Sequence, residues 1–151
     1  MLKHLLVLFL LVSACVTIHG LGMVLGLRWL ARVWPGKEHS FSLPKLFWIL
    51  IRVVFGLLIL HLLQITVWAA VYSLKGCFPS FDISFYYSAT SYATVGYGDV
   101  IPPAPWRVFG PIEAVTGVLM FGWSTGVLFS IVYRLQRHFL KDPKDLPTDS
   151  A

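Results

Sequence analysis

Three long apolar stretches dominate the hydrophobic pattern of this chain. Residues 5–30 are almost free of charge, residues 45–72 form a second run, and residues 107–133 form a third. Each exceeds the roughly 20 apolar residues that an α-helix needs to cross a bilayer, so three spanning helices are predicted. Between the second and third lies a short aromatic-rich run from Phe85 to Ala93, preceded by Ser80 and Asp82. Either of those two can cap exposed amides, and a negative side chain suits the positive end of a helix. The spacing predicts a helix over about residues 82–93, roughly 18 Å long, too short to span. A re-entrant helix is tolerated only where protein or water covers its backbone. The expected class is therefore an all-α membrane protein with three transmembrane helices and one re-entrant helix, surrounded by an assembly.

Polar and small residues refine the pattern. The first run stays apolar to Trp34, and Pro35-Gly36 then marks a turn, with Ser42 and Pro44 signalling the next helix start. Val12-Ser13-Ala14-Cys15 resembles a lipoprotein processing site, but the apolar run continues far beyond a cleavable segment. Gly22 and Gly26 form a small-xxx-small face suited to close helix approach. Arg52 can snorkel to the interface. His61 and Gln64, three apart, share a helix face near mid-membrane and need partners. His19 on the first helix is the candidate, in a packed hydrogen-bonded cluster. Pro102, Pro103 and Pro105 give a rigid return to the surface, and Pro111 fits a first helical turn. The polar tail, 142–151, is too short for a regulatory domain.

Composition fits this reading: 57% of residues are hydrophobic, 13% charged, and mean hydropathy is +0.75. A soluble domain of this size could not hide so much apolar surface. The net charge of +5 comes from basic residues beside the apolar runs and offers no folded basic face, so nucleic acid is excluded as a partner. Cys15, in an apolar run, and Cys77, in a loop, are not expected to pair. Arg28, Arg32, Lys37, Lys45 and Arg52 cluster around the first connection, and Arg134, Arg137, His138 and Lys141 follow the last run. Only Lys75 precedes Arg107 in the other loop. Positive charge thus places the first connection and the C-terminus in the cytoplasm, and the N-terminus and residues 73–106 outside. The first helix lacks the Arg-rich repeat of a voltage sensor.

After the short helix comes Thr94-Val95-Gly96-Tyr97-Gly98-Asp99. Lying between two spanning segments, it resembles the selectivity filter of potassium channels, and residues 46–134 resemble their pore domain. That resemblance implies potassium coordinated by the carbonyls of Thr94, Val95, Gly96 and Tyr97, with the Thr94 hydroxyl as innermost ligand and the carbonyls replacing the hydration shell. Gly96 and Gly98 reach the required dihedrals without a Cβ clash. Tyr86 and Tyr87 match the family's supporting aromatic pair. Thr90 stands where some members carry a carboxylate paired to the filter aspartate, so Asp99 needs another partner, a nearby Trp or Tyr or water. Ala93 replaces a usual Thr and Tyr92 a usual small residue, which leaves a weakly selective cation channel as an alternative. Glu113 is expected to anchor the last helix to the short one. Gly117 resembles a hinge glycine, with Gly122 and Gly126 as rivals. Thr125, Phe129 and Val132, by spacing from Gly117 and Phe121, are candidates for a gate.

The family surrounds the ion with four such loops. This chain has one, so the resemblance implies a homotetramer in contact with potassium ions and membrane lipids, in a bacterial inner or plasma membrane. Residues 1–45 then form an added helix and connection without ion-coordinating features, 46–134 the pore domain, and 135–151 a short tail. Beyond the permeant ion no cofactor is implied. No metal cluster, Ser/His/Asp grouping or phosphate loop suggests an enzyme. A non-conducting membrane protein that associates through its first helix is the alternative from another class.

Overall fold

The computed structural model describes residues 2–34 and 43–139. In chain order it contains α1 (Leu2–Val33), α2 (Leu43–Leu74), α3 (Phe81–Tyr92), a short helical turn (Ala104–Trp106) and α4 (Phe109–Phe139). Leu2–Val33, Pro44–Leu74 and Ala104–Gln136 are long and apolar enough to cross a membrane, so the predicted all-α membrane architecture holds. The helices outrun the apolar stretches because polar residues extend a helix past the hydrocarbon until something stops it. α1 ends at Val33, where the sequence Trp34-Pro35 predicts it, because a residue before proline disfavours the helical region. For α2 the stop is Gly76, at φ +64°. Cys77 N–H donates to the Tyr72 carbonyl (2.9 Å) and Gly76 N–H to that of Ser73 (3.0 Å), which is the Schellman arrangement that glycine favours. Residues 35–42, with Lys37 and Glu38, and residues 140–151, with Lys141, lie outside the described residues. So do the side chains of Arg137 and His138.

The short helix α3 lies between α2 and α4, and α1 packs along both of those helices. The main core joins Leu11 and Cys15 of α1, Ile65, Trp68 and Tyr72 of α2, Tyr92 of α3, and Phe109 and Met120 of α4. A smaller core at the far end gathers Leu46, Ile131 and Leu135, with Trp34 against it. There the Arg134 guanidinium sits 5.0 Å from the centre of the Trp34 ring, a favourable cation–π distance. At the opposite end of α1, His4 meets the edge of Trp106 at 5.1 Å. Gly22 does serve close approach, since a methyl there would overlap Leu60 of α2, whereas Gly26 faces open space.

Both cysteines are free and buried. Burial also pushes the Cys77 thiol above its ordinary pKa. Despite its loop position, Cys77 is therefore not available at the surface. The α2 cap folds it under Phe78 and Tyr72.

Candidate functional site

The site begins with the cap of α3. Ser80 Oγ accepts from Ile83 N–H (3.3 Å) and Asp82 lies in the first turn, as its sequence predicts. At the other end the chain doubles back on its own helix. Ala93 N–H donates to Ala89 (3.1 Å) and Thr94 N–H to Ser91 (2.9 Å). Val95 and Gly96 N–H both donate to the Thr90 carbonyl, at 2.8 and 3.2 Å. The carbonyls that end α3 thus hold the amides of the following loop.

This pinning determines where the loop carbonyls face. In a planar trans peptide the carbonyl of one residue points opposite to the N–H of the next. With the amides of Val95 and Gly96 turned toward Thr90, the carbonyls of Thr94 and Val95 turn away from the helix. The backbone alternates in handedness: φ is +60° at Thr94, +53° at Gly96 and +75° at Gly98. Such alternation gathers successive amides on one side and leaves carbonyls on the other. Glycine carries this conformation without cost at 96 and 98. Thr94 does not, and a β-branched residue in the left-handed region is strained by about 1–3 kcal/mol. The sequence gives no sign of that strain, because the pinned amides on either side impose it. Residues 93–99 are all exposed, so an edge of backbone oxygens lies open on the single chain. A row of this kind offers oxygen ligands to a cation from one side only and does not by itself replace a hydration shell. Among the described residues no group of three or more His, Cys, Asp or Glu is placed to hold a metal ion.

The surrounding side chains divide into three groups. Tyr86 donates to Asp99 Oδ2 (2.6 Å), and Asp99 Oδ1 accepts from Val100 N–H (3.0 Å). Tyr86 is thus the partner that Asp99 lacks at position 90, where Thr90 Oγ1 bonds the Tyr87 carbonyl instead (3.0 Å). Donation to Asp99 raises the pKa of the Tyr86 hydroxyl above its ordinary value. Tyr87 places its hydroxyl where a methyl on Gly110 would stand, so this tyrosine braces the start of α4.

Glu113 forms the second group. Fully buried, it accepts from Tyr72 at Oε2 (2.8 Å) and from Ser88 at Oε1. It therefore ties α4 to α2 as well as to α3, one helix more than the sequence suggests.

The third group surrounds Tyr92. Its side chain is wholly buried, with the hydroxyl 3.0 Å from Gln64 Oε1 and 3.1 Å from His61 Nδ1. His19 joins at Gln64 Nε2 (3.0 Å), so the polar cluster expected of His19, His61 and Gln64 is present. Tyr92 and Ser124, both missed as members, complete it.

Along α4, Glu113, Gly117, Met120, Ser124, Ile131 and Leu135 face the protein. Gly117 is a contact: a Cβ would overlap the Tyr92 carbonyl, while Gly122 and Gly126 have open space. The helix runs through Gly117 unbroken. Thr125 and Phe129 lie on the exposed face with Gly122 and Gly126, and Val132 is only half-buried. Comparison with known proteins agrees with this geometry. An ion-channel family model matches residues 56–134, which take in most of α2, all of α3, the loop at 93–99 and most of α4. No curated protein and no solved structure matches the chain. A match over just over half of the sequence, on the elements that build the carbonyl edge, shows that the chain belongs to the ion channel family.

Proposed function

We propose that this ion channel is selective for potassium and conducts it as a homotetramer, down the electrochemical gradient. One observation carries the reading. The amides of Val95 and Gly96 are fixed on the Thr90 carbonyl, which directs the preceding carbonyls to the exposed side of a loop with the Thr-Val-Gly-Tyr-Gly-Asp sequence. Four such edges around an axis supply the rings of carbonyls that replace a potassium ion's water. A single edge cannot. In this reading Thr94, Val95, Gly96 and Tyr97 coordinate the ion, Tyr86 and Asp99 hold the mouth, and Glu113 and Tyr92 hold the base. Residues 46–134 form the pore unit, residues 1–45 add a helix that braces it, and the filter mouth faces outward. Gly122, Thr125, Gly126 and Phe129, on the exposed face of α4, are the residues left to line the inner cavity and gate.

The test is the reversal potential of purified protein in planar bilayers under opposed potassium and sodium gradients. A strongly potassium-selective current is expected. Gly96→Ala or Gly98→Ala should abolish it, because a Cβ in the left-handed region costs about 1–2 kcal/mol per residue and crowds the conduit. Equal permeability to both ions would establish a weakly selective cation channel instead. A silent bilayer containing intact protein would leave a non-conducting membrane protein.

A further inference from the structure

Five side chains from all four long or re-entrant helices close a ring in the middle of the protein. Gln64 Nε2 lies 3.0 Å from His19 Nδ1, and His19 Nε2 is 3.3 Å from Ser124 Oγ. Ser124 Oγ is 3.1 Å from His61 Nε2, and His61 Nδ1 is 3.1 Å from the Tyr92 hydroxyl. Tyr92 returns to Gln64 Oε1 at 3.0 Å. All five side chains are buried.

The chemistry of these groups allows one direction around the ring. Gln64 Nε2 also donates to the Leu60 carbonyl (3.1 Å), which fixes the amide, since a flipped oxygen would face another oxygen. An amide nitrogen only donates, so His19 Nδ1 must accept, and the proton of His19 sits on Nε2 and goes to Ser124. Gln64 Oε1 only accepts, so Tyr92 donates to it. The Tyr92 oxygen then receives the proton on His61 Nδ1, leaving His61 Nε2 to accept from Ser124. Every donor meets one acceptor, and each imidazole carries a single proton in a defined tautomer. The reverse direction fails at Gln64.

Tyr92 links this ring to ion coordination. It is the last residue of α3, two residues before Thr94, and its carbonyl rests against Gly117 of α4. Its hydroxyl has no freedom within the ring. We propose that His19, on the helix outside the matched family region, is a positioning residue for the filter, acting through Gln64 on Tyr92 to fix where the chain enters Thr94.

This inference rests on the filter reading of residues 94–98, so its test includes a part independent of conduction. Solid-state NMR of 15N-histidine-labelled, 13C-threonine-labelled channel in lipid vesicles should find His19 protonated on Nε2 and His61 on Nδ1. In His19→Ala the Thr94 resonances should move, while the exposed control Leu21→Ala leaves them in place. In bilayers, His19→Ala should shift the half-saturating potassium concentration by about threefold, the scale of one intramembrane polar contact. Tyr92→Phe should do the same, and the double variant no more than either one. A His19 proton on Nδ1 would overturn the ring. Unmoved Thr94 resonances in an assembled His19→Ala channel would reduce His19 to a packing residue. If that variant does not assemble, Ser124→Ala opens the ring by one atom and is judged by the same signals. A parent protein that is silent, or conducts potassium and sodium alike, refutes the proposed function but leaves the NMR results to decide the positioning role.

Discussion

Tyr86 and Asp99 form an exposed contact, and pH acts on it directly. Because donation to Asp99 raises the Tyr86 pKa, the folded protein favours the protonated phenol. The bond is fully present below the ordinary tyrosine value of about 10, and is lost as pH rises through the raised one. The expected outcome is a fall in potassium current when the outer solution is stepped above about pH 10, absent in Tyr86→Phe, which should show a reduced current at every pH. An identical alkaline fall in that variant would assign the titration elsewhere. This pair also shows where residue-level reading stops. Gly96 and Gly98 announce their positive φ by being glycine. Asp99 finds Tyr86 thirteen positions away only because the loop doubles back along α3, a tertiary event with no local signal. The strain at Thr94 is hidden for the same reason.

Helices were the most readable level, because length and apolar content are one-dimensional properties. The sequence predicts the short helix over about residues 82–93, and it occupies Phe81–Tyr92 with Ser80 as its cap. The rotation of α4 was not readable. In lipid both faces of a helix are apolar, so periodicity does not separate the packed face from the lipid-facing one. Position 117 shows the consequence: glycine there suggests a bend, yet the structure uses its missing side chain to seat the Tyr92 carbonyl. Gly117→Ala should therefore destabilise the assembly by about 1–3 kcal/mol, the usual cost of overpacking. Gly126→Ala, with open space around it, should leave stability unchanged or raise it by up to about 1 kcal/mol through helix propensity. Thermal dissociation of the purified assembly in detergent distinguishes the two. Equal effects would return Gly117 to the role of a hinge.

At the scale of the whole molecule, α1 is more than an appendage. It reaches Trp106 through His4, the buried polar ring of Gln64 and Ser124 through His19, and the far end of α4 where Arg134 lies over Trp34. Orientation is best tested away from buried Cys77. In a Cys77→Ser background, Lys75→Cys should react with an impermeant thiol reagent on intact cells and Lys37→Cys should not. The reverse pattern would invert the topology. The open edge at residues 93–99 also bears on biogenesis. Hydrocarbon offers no partner for an unsatisfied backbone group, so wherever this strip dips into the bilayer a newly inserted single chain leaves it unsolvated. In a tetrameric channel, companion chains and the permeant ion together relieve that burden. Anything that binds only the assembled form stabilises it by mass action, so under the proposed potassium function the permeant ion would act as a ligand for assembly before it serves as cargo. The survival of the channel in its membrane would then depend on the ion it transports.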